Sequence, residues 1–441
     1  MMKTNVLVDT TAYIKKVSWF KVVSFSLTIL LLFFLYNTYE NMAFAILGVG
    51  ILVVSLLILD CNELLLVAIM LSPSVQMIKF IGYGLAIHSY YLLVIELKYI
   101  LLQRKLVLKT SLSYIWFFIC SFVTFSLYFD MNLLFSVFRT VMFFVMIYSM
   151  NVCDDRIENY KKLCVDSYIY GTLVNVVSGI LYYIALGKNI YWGYFGGINN
   201  DRNYFSTIIA ISMALIMINV NNYSLKEFIE KMICFAIVFY AGIVSSSRTF
   251  LLASIWIVLL VFLLVFQKTT KKRNLFFVLV ICSIVAFVFK EQIAMVIQHI
   301  ISRFTDDTVV GGNGRFDLWT TYLNLTFSTA TRTVFGNGSA INYVDAGIIS
   351  QIEHGTAVQL ISTLGVLGSV LLLNCYLMTY KRVFKTVSVF RNFICYIPLL
   401  VLFTCNFNIS SLFLAQFDIS IYVCLVAALK YNENKILRNV Q

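Results

Sequence analysis

Long apolar segments follow one another along nearly the whole chain, separated by short stretches that carry most of the charged residues. A segment of about 18 or more apolar residues is long enough to cross the hydrocarbon core of a bilayer as a helix. The pattern therefore predicts an all-α, polytopic integral membrane protein in which residues 1–441 form a single transmembrane domain. We expect 12–14 transmembrane helices, because fourteen candidate runs lie near residues 17–36, 42–59, 64–81, 86–102, 111–129, 133–150, 163–186, 204–220, 232–246, 249–267, 275–290, 355–378, 393–410 and 411–429.

The positive charges indicate how these segments are oriented. If the N-terminus lies in the cytoplasm, 23 of the 33 Lys and Arg residues fall in cytoplasmic loops and tails, eight fall outside and two fall within spans. Cytoplasmic loops of membrane proteins are enriched in Lys and Arg. The distribution therefore predicts an even number of spans, with both termini in the cytoplasm.

The longest segment on the predicted outer face is 290–353. Both halves of it carry apolar residues at helical spacing, which suits short helices at the membrane surface. The sequence therefore predicts one large outer loop that contains helices. The two apolar stripes are Ile293, Val296, Ile297, Ile300, Ile301 and Phe304, and then Phe316, Trp319, Leu323 and Phe327.

Composition excludes several classes of protein. Hydrophobic residues make up 61% of the chain, charged residues 12%, and the mean hydropathy is +0.88, which rules out a water-soluble fold. The net charge of +12 is divided among short clusters between apolar runs, so we predict no nucleic-acid partner. The ten Cys lack metal-binding spacing, and neither Asp154-Asp155 nor Asp306-Asp307 is joined by a second acidic motif. We therefore predict neither a metal nor a cofactor.

Arginines on the outer face run against the usual charge bias. Arg248 ends the Ser-rich turn that connects two spans, and Arg315 follows Gly314 at the predicted start of a helix. A guanidinium group at either position suits a phosphate through paired, charge-assisted hydrogen bonds, and a helix N-terminus also attracts anions. The alternatives are that Arg248 snorkels to lipid headgroups and that Arg315 pairs with Asp317 or Glu353.

Two further arginines are candidates of the same kind. Arg202 directly precedes a span and either binds an anion or pairs with Asp201. Arg139 lies about two turns inside a span, where an isolated charge is costly, so we expect it to bind a lipid diphosphate or to pair with Glu96. Polar residues of the last two spans are expected to form hydrogen bonds between helices; they are Asn406, Asn408, Gln416 and Asp418.

His354 ends the outer loop, directly after Glu353 and before the span that begins at Gly355. An imidazole or a carboxylate that faces an arginine cluster is suited to removing a proton from a hydroxyl group. The alternative is that His354 is only a polar residue at the end of a span.

These motifs, taken in order, resemble the O-antigen polymerase and O-antigen ligase superfamily. The resemblance implies a GT-C-like membrane fold in the bacterial cytoplasmic membrane. The chain departs from the family at Gly355, because Asn usually follows the His there. The motifs are Ser245-Ser246-Ser247-Arg248, then Gly314-Arg315 with Trp319, then Phe335-Gly336-Asn337-Gly338, then His354 with Gln359, Gly365 and Gly368, over about residues 190–375.

The resemblance also implies a function. Members of the superfamily are metal-independent, inverting glycosyltransferases that use sugars linked to undecaprenyl diphosphate at the outer face of the membrane. Polymerases join oligosaccharide repeat units of an O-antigen or capsule, whereas ligases transfer finished chains to lipid A core. We favour a polymerase, because fourteen spans and an aromatic-rich outer loop are typical of that branch. The alternative from another class is a transporter or flippase, which predicts inverted repeats and broken spans.

The resemblance assigns partners and residue roles. The expected partners are the lipid-linked oligosaccharide, membrane lipids, a flippase and a chain-length regulator. Arg248 and Arg315 are expected to hold the diphosphate, and His354 is expected to act as the base, with Glu353 in reserve. Further candidate ligands of the diphosphate are Arg202 and Arg139, and the supporting residues are Ser247, Asn203 and Gly314.

Overall fold

A computed structural model describes most of the chain, and the part that it describes is helical. The described residues are 17–80, 87–103, 112–149, 159–187, 195–198, 201–266, 272–288, 315–339, 355–383, 393–407 and 414–440, with isolated positions near 290–298, 343–347 and 409. Sixteen α-helices are bounded within these residues, which contain no β-strand. They are α1 (Trp19–Tyr39), α2 (Met42–Ile58), α3 (Cys61–Leu71), α4 (Ile87–Gln103), α5 (Leu112–Tyr128), α6 (Met131–Ser149), α7 (Tyr160–Ala185), α8 (Arg202–Ile218), α9 (Leu225–Val244), α10 (Arg248–Phe266), α11 (Lys272–Val288), α12 (Arg315–Thr326), α13 (Ala330–Phe335), α14 (Thr356–Val383), α15 (Ile397–Phe407) and α16 (Ala415–Val440).

The helices coincide with the apolar runs of the sequence. Each of the fourteen runs overlaps one helix among α1–α11 and α14–α16. Among the described residues, four helices are by length and composition able to cross a membrane, namely α1, α7, α10 and the Thr356–Thr379 part of α14, and six shorter apolar helices accompany them. The prediction of an all-helical membrane protein is thus confirmed at this level. The number of spans, the orientation and the GT-C-like arrangement stay predictions.

Two helices lie at the centre of the bundle. α8 is buried on every side over residues 205–218, and α16 is buried over residues 415–428. A helix that is mainly apolar all round is stable only when other helices cover it. The peripheral helices instead expose large apolar side chains such as Phe20, Leu57 and Phe266. An outer surface of this kind suits lipid and not water, as the composition predicts.

The long helix α14 is broken at Gly365. This residue has φ of 67°, in the left-handed region, so the helical hydrogen bonding of the preceding turn is interrupted. Residues 336–338 fill the break, because the amide of Asn337 donates to the carbonyl of Ser362 at 2.6 Å and that of Gly338 donates to Thr363 at 3.2 Å. A side chain at Gly336 would meet the Thr363 carbonyl at 2.3 Å, so the approach requires glycine.

The same segment ties the outer loop to α5 and α6. The Thr124 hydroxyl donates to the Phe335 carbonyl at 2.7 Å, and the Tyr128 hydroxyl donates to Gly336 at 3.0 Å. The Ser339 amide donates to Asp130 at 2.7 Å. The loop is therefore anchored through backbone groups at the ends of two helices.

The outer loop also has a small apolar cluster of its own. Tyr322 of α12 packs with Tyr343 and with Val358 of α14, and Trp319 lies against them. α12 begins at Arg315, where the sequence predicts a helix, whereas the earlier apolar stripe at 293–304 lies largely outside the described residues.

Substitution of Gly365 tests the break. We expect Gly365→Ala to lower the stability by about 1–3 kcal/mol, because the new side chain is strained at positive φ, and because it would also lie 2.4 Å from the Gly336 amide nitrogen and the Val334 carbonyl oxygen. The measurement is the melting temperature of the protein in detergent. The control is Gly50→Ala in α2, where the added carbon would meet nothing within 4 Å. Equal melting temperatures for the two variants would contradict the interpretation.

Candidate functional site

Two of the predicted anion-binding arginines begin neighbouring helices. Arg202 is the first residue of α8 and Arg248 is the first residue of α10. Asn203 joins the two starts, because its side-chain oxygen accepts hydrogen bonds from the hydroxyl of Ser247 at 3.0 Å and from that of Thr249 at 3.5 Å. The two arginines therefore lie at the same end of two parallel helices that pack against each other.

The turn before Arg248 is buried and held by its own hydroxyl groups. Ser245 donates to the Gly242 carbonyl at 2.7 Å and lies 3.1 Å from the hydroxyl of Ser206 in α8. Ser246 has φ of 49°, which allows the chain to reverse within three residues. The hydroxyls of Ser245 and Ser247 both bond to protein groups, and they thereby hold the starts of α8 and α10 together.

The start of α8 is capped by Asp201. Its carboxylate accepts hydrogen bonds from the amides of Asn203 at 2.7 Å and Tyr204 at 3.3 Å. An N-terminal cap of this kind fixes where the helix begins. The carboxylate of Asp201 serves as the helix cap, and its predicted pair with Arg202 stays a prediction.

A third arginine, Arg315, begins α12 on the outer loop. One turn later the ring of Trp319 packs edge-on against Phe407 at the end of α15, with 5.9 Å between centroids. Gly355 lies against both, because a side-chain carbon there would be 3.0 Å from the Phe407 carbonyl and 3.1 Å from the Trp319 ring. The hydroxyl of Thr356 donates to the carbonyl of Ile409. The start of α14 and the start of α12 thus meet at the end of α15.

α15 connects the two groups of residues. It packs against α8 and α10: the Thr207 hydroxyl bonds to Cys405, and the indole of Trp256 donates to the Thr404 hydroxyl at 2.7 Å. Thr207 is the sixth residue of α8 and Trp256 is the ninth residue of α10. The last turn of α15, which ends at Phe407, therefore lies against about the first three turns of these two helices.

The arrangement favours an anion at this end of the bundle. Arg202, Arg248 and Arg315 are each partly exposed, and each begins a helix. Helix N-termini carry partial positive charge, which adds to the charge of the guanidinium groups, although Asp201 already accepts from the first amides of α8. A phosphate or diphosphate is the ligand that such a set of donors suits best.

Arg139 does not have the partner that the sequence analysis expected. Its guanidinium group lies 2.7 Å from the carboxylate of Asp418 on α16, and the hydroxyl of Thr140 donates to the same oxygen at 3.2 Å. The predicted pair with Glu96 was wrong: in the part of the chain that the structure describes, no hydrogen bond reaches the carboxylate of Glu96. A role for Arg139 in holding the lipid diphosphate stays a prediction.

The predicted base His354, the reserve base Glu353 and the supporting Gly314 lie outside the described residues. Their described neighbours are Gly355 and Arg315. Among the described residues, no group of three or more His, Cys, Asp or Glu side chains is placed to hold a metal ion.

No model of a known protein family matches the chain, and a search of curated proteins finds no match. The resemblance to the O-antigen polymerase and ligase superfamily therefore stays a prediction.

Removal of one hydroxyl tests the junction between α8 and α10. We expect Ser247→Ala to weaken binding of farnesyl diphosphate by about 2- to 10-fold, because loss of one hydrogen bond of about 0.5–1.5 kcal/mol loosens Asn203 and both arginines. Binding is measured by titration calorimetry on the purified protein. The control is Ser254→Ala, since that hydroxyl bonds only to the Phe250 carbonyl of its own helix, at 2.8 Å. The idea fails if both variants bind as the unmodified protein does.

Proposed function

We propose that the protein is an O-antigen or capsular polysaccharide polymerase in the bacterial cytoplasmic membrane. In this proposal it is a metal-independent, inverting glycosyltransferase that joins oligosaccharide repeat units linked to undecaprenyl diphosphate. One observation carries the proposal: Arg202 and Arg248 begin two helices that Asn203 and Ser247 join, and the last turn of α15 lies against the first turns of both helices.

The arginines supply what the leaving group needs. When the bond between the anomeric carbon and the diphosphate oxygen breaks, negative charge accumulates on the diphosphate. Guanidinium groups that are already in place stabilise that charge without reorganisation, which lowers the barrier. Arg248 and Arg202 hold the diphosphate from the bundle, and Arg315 holds it from the outer loop.

The acceptor is activated by a base. His354, or Glu353 in its place, removes the proton from the acceptor hydroxyl as the oxygen attacks the anomeric carbon. The new glycosidic bond forms on the face opposite the departing diphosphate, so the configuration inverts and undecaprenyl diphosphate is released. The contact of Gly355 with Trp319 and Phe407 supports the idea that the residues just before it work beside Arg315.

The arginines account for a lipid-linked donor but not for the acceptor. A ligase that transfers a finished chain to lipid A core would use the same diphosphate site with a different acceptor. The fourteen predicted spans and the aromatic contacts of Trp319 favour the polymerase. The expected partners in the membrane are a flippase that delivers the lipid-linked unit and a chain-length regulator.

One observation favours a transporter or flippase instead. α14 is broken at Gly365, and transport proteins often build their sites at broken helices. In this protein, however, backbone amides of residues 337 and 338 already fill the break. We therefore retain the transporter only as the second candidate.

Substitution of the arginines and of the base tests the enzyme. We expect Arg248→Ala, Arg315→Ala and His354→Ala each to abolish long glycan chains in a deletion strain, with the lipid-linked single unit still present at the outer face. Arg248→Lys should fail as well, because a point charge cannot make the planar two-pronged contact. The readout is the banding of surface glycan on a gel.

The matched control is Arg332→Ala, an outer-loop arginine of α13 whose guanidinium group lies 3.4 Å from the Ser328 hydroxyl. This variant should make chains of normal length. Normal chains in the first three variants, or loss in the control alone, would remove the enzyme hypothesis.

Reconstitution separates the three candidate activities. Purified protein in liposomes with a lipid-linked repeat unit should form a product of two or more units and release undecaprenyl diphosphate. A ligase would release it only after lipid A core is added. A flippase would move the unit across the bilayer without making a longer product, and that result would contradict the proposal.

A further inference from the structure

A second cluster of charged residues lies inside the bundle, apart from the arginines at the helix ends. Glu96 of α4, Arg139 of α6 and Asp418 of α16 are 0%, 1% and 1% exposed. The three helices contact one another, and Arg139 interacts electrostatically with both carboxylates. The mechanism proposed above needs neither carboxylate.

The two carboxylates differ in what surrounds them. Asp418 accepts hydrogen bonds from Arg139 at 2.7 Å and from Thr140 at 3.2 Å. Both oxygens of Glu96 are buried, and among the described residues no donor reaches either of them. An ionised carboxylate without donors in an apolar interior is strongly unfavourable, so such a group takes up a proton.

The net charge of the cluster also favours the binding of one proton. Two carboxylates and one guanidinium group leave one excess negative charge when both acids are ionised. In a medium of low dielectric constant this excess is costly, and a single bound proton removes it.

Other ionisable groups near α4 do not offset that charge. His88, two turns before Glu96, uses one ring nitrogen on the Ala68 carbonyl at 2.9 Å. Lys98 is only partly buried and directs its ammonium group to the carbonyls of Leu56 and Leu59. The charges that act on Glu96 are those of Arg139 and Asp418. Glu63 of α3, which packs on α4, accepts hydrogen bonds from the amides of Ser18 and Asp60. Tyr376 of α14 lines the cavity beside Asp418 and is neutral.

The surroundings of Asp418 leave it room to change partner. A cavity of about 290 Å³ borders this residue and is otherwise lined mainly by apolar side chains such as Phe144 and Phe403. An ionised Asp418 without Arg139 would be unfavourable there, whereas a protonated one would not.

We infer that Glu96 and Asp418 form a membrane-embedded site that binds one proton, and that Arg139 pairs with whichever of the two carboxylates does not hold it. In the structure described here the proton is on Glu96 and Arg139 pairs with Asp418. Transfer of the proton to Asp418 would move the ion pair from α16 to α4, so the packing of α4, α6 and α16 is linked to proton binding. This inference does not depend on the proposed glycosyltransferase function.

Infrared spectroscopy of the full chain in lipid vesicles tests the site. The difference between the unmodified protein and Glu96→Gln should contain the carbonyl band of one protonated carboxylic acid. In Asp418→Asn, Glu96 is the carboxylate that can pair with Arg139, so Glu96 should lose its proton. The carbonyl band of the protonated acid should then disappear, and the band of an ionised carboxylate should remain.

Two controls make the result interpretable. Glu63→Gln removes a carboxylate that accepts two backbone amides, so its difference spectrum should contain only an ionised carboxylate band. Glu96→Gln should melt at the same temperature as the unmodified protein, because the amide replaces a neutral acid of the same shape. The inference is overturned if Glu96→Gln removes no protonated band, or if that band persists in Asp418→Asn.

Discussion

The hydrogen bonds from the amides of Asn337 and Gly338 to the carbonyls of Ser362 and Thr363 determine how the outer loop meets the bundle. Where no solvent replaces a lost helical partner, a break in a helix persists only if another segment supplies the missing donors. The loop supplies them, and in doing so it is fixed against α5 and α6 as well. α12, which begins at Arg315, precedes this docked segment and contacts α15 through Trp319 and Phe407.

The depth of each arginine in the bundle determines which groups surround its charge. Arg202, Arg248 and Arg315 begin helices and are partly exposed, so their charge adds to that of the helix ends. Arg139 has the same side chain but is buried, and its charge is matched by Asp418. The three arginines at helix starts therefore differ from Arg139, whose charge is matched inside the bundle.

The sequence was sufficient for features that depend on neighbouring residues. Apolar runs and the breakers between them predicted the helices, and they placed Arg248 and Arg315 at helix starts. Pairs between residues that are far apart in the sequence could not be predicted in this way. Arg139 and Asp418 are 279 residues apart, so several polar residues were equally suitable partners for Arg139. The break at Gly365 was also missed, because an apolar run continues on both sides of it and a single glycine is common in such helices.

The aromatic cluster of the outer loop is separate from the main core. Tyr322, Tyr343 and Val358 form their own small group, while the bundle is held by a far larger one. A unit that buries so little apolar surface opens at a lower free-energy cost than the bundle beneath it, so local unfolding is expected to begin there. Residues on such a unit tolerate replacement without repacking of the bundle, so changes of sequence are accommodated there more readily than in the core beneath it.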